Sequence, residues 1–186
     1  MYGFEGEVKH KYDGNVMTLF TEVFNWLPLY HTLNNNIFVV HGGLFQQDSV
    51  TLNELKNVVR NCEPPESGLM SDALWSDPQP FPGRGPSKRG VGLTFGPDVT
   101  AKFLSDNGLK MIVRSHEVKD EGYLVEHNGK LVTIFSAPNY CDQMGNKGAV
   151  IGFDYKECDP TYHQFTHVEH PPIRPMAYAG NMSMFH

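Results

Sequence analysis

Cysteine is scarce: three in 186 residues, and Cys62, Cys141 and Cys158 form no Cys-x-x-Cys pair. That spacing offers neither a disulfide framework nor a structural zinc cluster, and it fits a reducing intracellular compartment. Long apolar runs are missing too. No stretch approaches the ~20 residues that span a bilayer, and no signal-peptide-like apolar core follows Met1. Basic residues are the minority charge, 15 Lys and Arg against 21 Asp and Glu for a net charge of -6, and they form no run. This argues against a nucleic-acid footprint and against a polybasic membrane anchor, leaving proteins and small anions as the expected partners. Neither an internal repeat nor a dividing linker is visible, so residues 1–186 read as one domain burying roughly 70% of its extended-chain surface.

What is present begins with an amphipathic stripe. Val16, Leu19, Phe20, Val23, Phe24 and Leu27 recur at helical spacing, and Pro28 ends the run. "NNNIFVV" then predicts a polar turn and a short buried strand that delivers His41. Thr51 and Glu54 have the spacing of a capping box ahead of Leu52, Leu55, Val58 and Val59, predicting a second helix. From Cys62 to Gly92 the composition is Pro, Gly, Ser and charge, which reads as one long functional or mobile loop. "GRGPSK" within it lacks the spacing of a nucleotide-phosphate loop. Pro97 at a first helical position and "DNG" at the far end bracket a third helix, leading into "LKMIVRSH". Asn128-Gly129 between two strand-like runs predicts a hairpin with a type I′ turn, and "GAVIGFDY" and "YHQFTHV" predict two further strands. Helices interleaved with strands in the first half and mostly sheet in the second give a layered α/β fold.

Two apolar strands, separated by helical crossovers, each end in a histidine, His41 and His116. In layered α/β folds ligands collect beyond the carboxyl ends of strands, and neutral imidazole is the commonest metal ligand. Gly42 and Gly43 would let the backbone turn tightly beside an ion. On spacing alone each histidine reads more readily as an ordinary strand-end residue, and the pattern does not decide. A competing cluster, His163, His167 and His170 near Cys158, would need helical spacing, whereas the surrounding β-formers and prolines favour a strand. Arg89 beside Gly90 offers a planar fork that matches a phosphate bidentately, or is a solvated loop arginine. Pro138 breaks a strand and exposes Asn139, Tyr140 and Cys141; the lone Cys141 has no helix start or basic neighbour to lower its pKa.

"HGGL", "LWSDP", "KRGVG.TFGPDV", "RSHE", "FSAPNYCDQMGNKGA" and "RPMAYA", in this order, resemble the PPP family of serine/threonine phosphoprotein phosphatases, nearest its type 5 branch. The similarity runs over essentially the whole chain. It implies a metallophosphoesterase-like β-sandwich flanked by helices, binding two divalent metal ions, manganese or an iron–zinc pair. Motif by motif, it implies that His41 and His116 are metal ligands, that Arg89 is a substrate-phosphate arginine, and that Tyr140 lines the groove beside the site. The implied reaction is hydrolysis of phosphoserine and phosphothreonine in proteins, by direct in-line attack of a metal-activated water.

The family's earlier motifs, "GDxHG", "GDxxDRG" and "GNHE", do not occur in these residues. The chain therefore resembles the C-terminal portion of a catalytic domain, with only part of the site and doubtful activity alone. Chaperone binding would need tetratricopeptide repeats that these residues lack. The expected location is cytoplasmic and nuclear. Uncovered apolar surface, including Phe20, Phe24 and Phe38, would favour self-association of the piece. "MAYAGNMSMFH" departs from the leucine-rich terminal helix expected of the family. Two alternatives stay open: a non-catalytic truncated phosphatase that binds through its groove, and a two-metal enzyme for small phosphoesters, which would leave "SAPNYCDQMGNK" unexplained.

Overall fold

The computed structural model describes residues 3–172, so "RPMAYA" and the terminal "MAYAGNMSMFH" lie outside the described residues. Contacts divide the chain into two compact units where the sequence predicts one domain. The smaller holds α1 (Phe4–Lys11), α2 (Gly14–Trp26) and Asn61–Glu63. Asp13 caps α2 by accepting from the Val16 backbone N–H at 3.0 Å, a contact worth about 1 kcal/mol. The predicted stripe forms this helix as expected, and Phe4, Phe20 and Phe24 cluster between α1 and α2. No α2 residue is fully buried; Leu19, Val23 and Phe24 stay exposed.

The larger unit, Pro28–Arg60 with Pro64–His167, carries the candidate chemistry. It contains β1 (Tyr30–Leu33), β2 (Ile37–Val40), α3 (Leu52–Lys56) and α4 (Leu69–Trp75). There follow β3 (Asp77–Pro78), β4 (Arg84–Pro86), β5 (Leu93–Phe95), α5 (Pro97–Asn107) and β6 (Met111–Arg114). The hairpin β7 (Tyr123–Glu126) and β8 (Leu131–Ile134) precedes β9 (Gly148–Phe153) and β10 (Pro160–Phe165). The main sheet has the order β1-β2-β6-β8-β7, with β2, β6 and β8 mutually parallel and antiparallel strands at both edges.

Side chains alternate across this sheet with a period of two, and each face has its own core. Phe38, Val40, Ile112 and Leu131 point to the face covered by Leu55 of α3 and by Val99, Phe103 and Leu104 of α5. Ile37, Met111, Val113 and Val132 point the other way and pack with Ile151, Phe153 and Tyr162 of the β9–β10 sheet. Helices on one face and a second sheet on the other make the predicted layered α/β arrangement.

Several expectations change. Phe38 is 0% exposed, because the Tyr30 ring packs tilted and the Phe103 ring edge-on against it, and so it leaves no apolar surface open. The capping box of Thr51 and Glu54 forms, but α3 lasts only five residues and Val59 is exposed. The Cys62–Gly92 stretch is not structureless. It contains α4 and, with β5, a three-stranded sheet in the order β3-β5-β4. The hairpin exists, yet its loop spans four residues between the Glu126–Leu131 pair, and His127, Asn128 and Gly129 all have positive φ. A two-residue type I′ turn would leave no place for His127, which is buried between Thr100 and the Gln79 carbonyl.

Candidate metal and phosphate site

The parallel pairing of β2 with β6, in register from Ile37–Met111 to Val39–Val113, brings two strand ends to one edge of the sheet. His41 follows β2 directly and His116 follows β6 by two residues; the Ser115 N–H donates to the His41 carbonyl at 3.1 Å. His116 holds φ at 67°, an uncommon value for a side-chain-bearing residue, and this turns its ring back toward His41. His41 Nε2 and His116 Nδ1 then lie 3.1 Å apart. The two glycines after His41 answer to close approach: a Cβ on Gly42 would stand 2.6 Å from the Trp75 backbone nitrogen, and one on Gly43 2.8 Å from the Ser76 carbonyl oxygen. The end of α4 presses against this turn, and the Trp75 ring stands edge-on to His116.

Both imidazoles are held neutral. Burial lowers the His116 pKa to about 4, helped by the positive charge of Arg89 and opposed by Asp77. His41 shifts the same way, first through desolvation and then through Arg114 and Arg89. The far nitrogen of the second ring, His116 Nε2, is buried without a hydrogen-bond partner among the described residues. A neutral ring with its proton on that nitrogen presents Nδ1 as a lone pair toward His41.

Arg89 sits on the turn between β4 and β5 and is tied to the same edge. Its Nε donates to Asp77 Oδ2 at 2.6 Å and its Nη2 to Asp77 Oδ1 at 3.3 Å, while Nη2 also reaches the His116 carbonyl at 3.4 Å. One edge of the fork is thereby occupied, leaving Nη1 without a protein acceptor among these contacts. Asp77 is 3% exposed. Burial pushes its carboxyl up, but the Arg89 hydrogen bond and the charge of Arg114 outweigh this and hold it below the usual value. The same Arg89–Asp77 bond raises the Arg89 pKa. Behind Asp77 lies Arg114, the last residue of β6, whose Nη2 donates to Asp77 Oδ1 at 2.8 Å and whose Nη1 donates to Glu117 Oε2 at 2.8 Å.

Three of the four sequence candidates, His41, His116 and Arg89, thus meet at one sheet edge. Tyr140 lies in a one-turn 3₁₀ segment after β8, 45% exposed and edge-on to Phe135. The alternative histidine cluster does not form: His163 is exposed on β10. Among the described residues no group of three or more His, Cys, Asp or Glu side chains is placed to hold a metal ion. Asp77, Arg114 and Glu117 carried no assignment in the sequence reading. The available signal was Arg114 itself: in "MIVR" it falls on the same face as buried Ile112, and a cation there needs buried acceptors.

A family model of calcineurin-like phosphoesterases matches residues 2–120. The chain belongs to that family. Its relatives include serine/threonine-protein phosphatase 5 of Arabidopsis thaliana, 62% identical over 181 residues that make up 97% of this chain and 34% of that protein. Serine/threonine-protein phosphatase T of Trypanosoma brucei brucei is 61% identical over 186 residues, 100% of this chain and 39% of the relative. The human serine/threonine-protein phosphatase 5 is 57% identical over 182 residues, 98% of this chain and 36% of the relative. A solved protein serine/threonine phosphatase from Saccharomyces cerevisiae, described as similar to human phosphatase PP5, superposes with a TM-score of 0.87 at 44% identity. The superposition covers 96% of this chain and 59% of the yeast one. The chain therefore spans little more than a third of these curated relatives.

The histidine pair fits one edge of the metal centre that a phosphoesterase of this family implies. Two nitrogens bound at about 2.1 Å to one ion, with a right angle between them, lie about 3.0 Å apart. The 3.1 Å separation of the two imidazole nitrogens is close to that spacing and is equally a hydrogen-bond distance.

Proposed function

We propose that this chain carries the C-terminal portion of the catalytic domain of a protein serine/threonine phosphatase, and that it serves hydrolysis of phosphoserine and phosphothreonine in proteins. The observation that carries this reading is the convergence of His41 Nε2 and His116 Nδ1 beside an arginine fork whose other edge is already bound. His41 and His116 would hold one of two divalent ions, manganese or an iron–zinc pair, with the remaining ligands supplied by residues other than those described. Such ions polarise phosphoryl oxygens and generate a hydroxide nucleophile near neutral pH. Arg89 binds the substrate's phosphate oxygens with the fork edge that Asp77 leaves open, and so orients the phosphorus for in-line attack. Tyr140 flanks the substrate groove from the β8–β9 connection. Phosphoproteins are the proposed partners, with no role for nucleic acid or membrane. Chaperone binding belongs to a tetratricopeptide region that these residues do not include, and the proposed location is cytoplasmic and nuclear.

A second reading has one observation in its favour. Only two metal-capable side chains meet among the described residues, which suits a non-catalytic truncated phosphatase that binds through its groove. A chimera separates the two: the Arabidopsis phosphatase with its matching 181 residues replaced by this chain. Metal-dependent turnover of phosphopeptides in preference to small phosphoesters supports the catalytic reading. A folded, metal-loaded but inert chimera supports the binding one.

A further inference from the structure

Among the described residues Arg114 is the largest side chain that is almost wholly buried, 1% exposed at the end of a strand whose other residues are apolar. A guanidinium has five N–H donors in a rigid plane, and all five are engaged. Nε donates to the Gly42 carbonyl; Nη1 donates to Glu117 Oε2 at 2.8 Å and Thr133 Oγ1 at 3.3 Å; Nη2 donates to Asp77 Oδ1 at 2.8 Å and the Ser76 carbonyl at 3.5 Å. With no donor left and almost no exposed surface, Arg114 cannot itself bind a phosphate. Its partners form a pattern, however. Gly42 follows His41, Glu117 follows His116, and Asp77 is the carboxylate that grips Arg89. One buried cation is bonded next to, or through, each of the three groups of the candidate site.

We infer that Arg114 is a positioning residue: it fixes the HGG turn and the Asp77 carboxylate together, and through Asp77 it aims the Arg89 fork. The charges support this division. Asp77 shares its two oxygens between Arg89 and Arg114, so neither guanidinium can shift without moving the carboxylate that holds the other. Glu117 balances the second positive charge on the far side of Arg114, with Lys119 3.4 Å beyond. A lysine at 114 would keep the charge but lose the plane; its three donors on one nitrogen cannot serve acceptors spread over Gly42, Asp77 and Thr133 at once.

The inference rests on the proposed phosphatase reading for its kinetic test and on the chain alone for its structural one. In the Arabidopsis chimera, Arg114→Lys should lower kcat/KM by about 10–100-fold, the usual cost of losing a partner that orients a metal or substrate ligand. It should also weaken inhibition by inorganic phosphate about tenfold or more. The deciding comparison is with Arg89→Ala. If Arg114 acts through Arg89, its effect on phosphate inhibition vanishes in the Arg89→Ala background; two independent sites would instead add. In the 186-residue chain, the side-chain Nε–H signal of Arg89 should be sharp and slowly exchanging, and should broaden in Arg114→Lys. Should Arg114→Lys fail to fold, Asp77→Asn enters the same cycle and the same spectrum. Additive effects, or an unchanged Arg89 signal in a folded variant, overturn the inference. An inert wild-type chimera counts against the phosphatase reading alone, because the Arg89 signal still decides the role of Arg114.

Discussion

His41 and His116 are 75 residues apart in the chain, yet their Nε2 and Nδ1 atoms come within 3.1 Å across a parallel strand pair. At that distance one ring can donate to the other, or, on the proposed phosphatase reading, both nitrogens can turn their lone pairs to one ion. In the chimera with the Arabidopsis phosphatase, His41→Ala or His116→Ala should therefore lower metal affinity by at least ~100-fold, since losing even a supporting partner of a ligand costs up to that much. Activity should fall in parallel. His163→Ala, on the exposed face of β10, should change neither. Metal content by mass spectrometry beside turnover decides this; full occupancy in both ligand variants would remove the pair from the centre.

Arg89 gives a different signature. It touches neither histidine nitrogen and is held by Asp77, so Arg89→Ala should leave metal content intact while weakening phosphate inhibition and slowing turnover by about 100-fold or more, the scale on which loss of a transition-state donor is felt. Arg89→Lys should recover only part of this, because a point charge cannot hold Asp77 along one edge and the phosphate along the other. Unchanged phosphate inhibition in the alanine variant would return Arg89 to the status of a loop arginine.

The Gly43 position is closed on both sides. A methyl group there meets the Phe95 ring and stands 2.8 Å from the Ser76 carbonyl oxygen. Phe95 is 0% exposed and the carbonyl belongs to backbone, so neither can yield cheaply. Gly43→Ala should cost about 1–3 kcal/mol, the range for overpacking a dense core. Urea unfolding measures it, and a variant as stable as the parent would mean that the turn after His41 is looser than its contacts indicate.

Much of this was legible before the structure because it is local. The stripe of α2, the Thr51–Glu54 box and the Pro97 to Gly108 bracket around α5 each depend on residues within a few positions of one another. The strand-end positions of His41 and His116 were legible from the apolar runs before them, but spacing alone did not choose a role, and the ligand reading came from the resemblance. The Cys62–Gly92 segment was not. A seven-residue helix and strands of two or three residues are too short to display a period, and β3 is made by pairing Asp77 with Thr94 from β5. Asp77 and Arg114 were invisible as a pair for the same reason: 37 positions separate them, and they belong to two different sheets that only the folded chain brings together. The hairpin turn was misread because Asn128-Gly129 is a local signal, whereas His127 is drawn inward by two distant partners.

Burial gives His127 a pH dependence. Burial lowers its pKa below the ordinary value of 6.5, although the Gln79 carbonyl and Glu126 pull the other way. The unfolded chain therefore binds a proton that the folded chain refuses. The resulting stability is fully present above about pH 6.5 and is lost as pH falls from there through the lowered folded value. His41 and His116 are shifted in the same direction and add to the slope. Urea midpoints at pH 7 and pH 5 should differ, and His127→Gln should reduce the difference without abolishing it. An identical difference in the variant would mean that His127 is protonated in the folded chain or reaches solvent freely.

The 186 residues purified alone are expected not to hydrolyse phosphopeptides, even with manganese added. Two neutral imidazoles bring no negative charge to offset a divalent cation, and among the described residues no carboxylate completes a cluster with them. Asp77, whose charge reaches both imidazoles, is already shared between Arg89 and Arg114, so turning it to an ion would strand the buried Arg114 guanidinium. A hydroxide nucleophile at neutral pH requires a bound ion to lower the pKa of its water, and the attack requires a second point of charge on the phosphoryl oxygens. On the proposed reading, one histidine pair and one arginine supply only part of that set. Exposed Leu19, Val23 and Phe24 on α2 should meanwhile favour association of the chain, visible as a concentration-dependent mass by light scattering. Supplying the upstream portion of the Arabidopsis phosphatase during refolding should bring turnover and a monomeric species together. Manganese-dependent phosphopeptide hydrolysis by the chain alone would show instead that a carboxylate outside the histidine pair completes the centre.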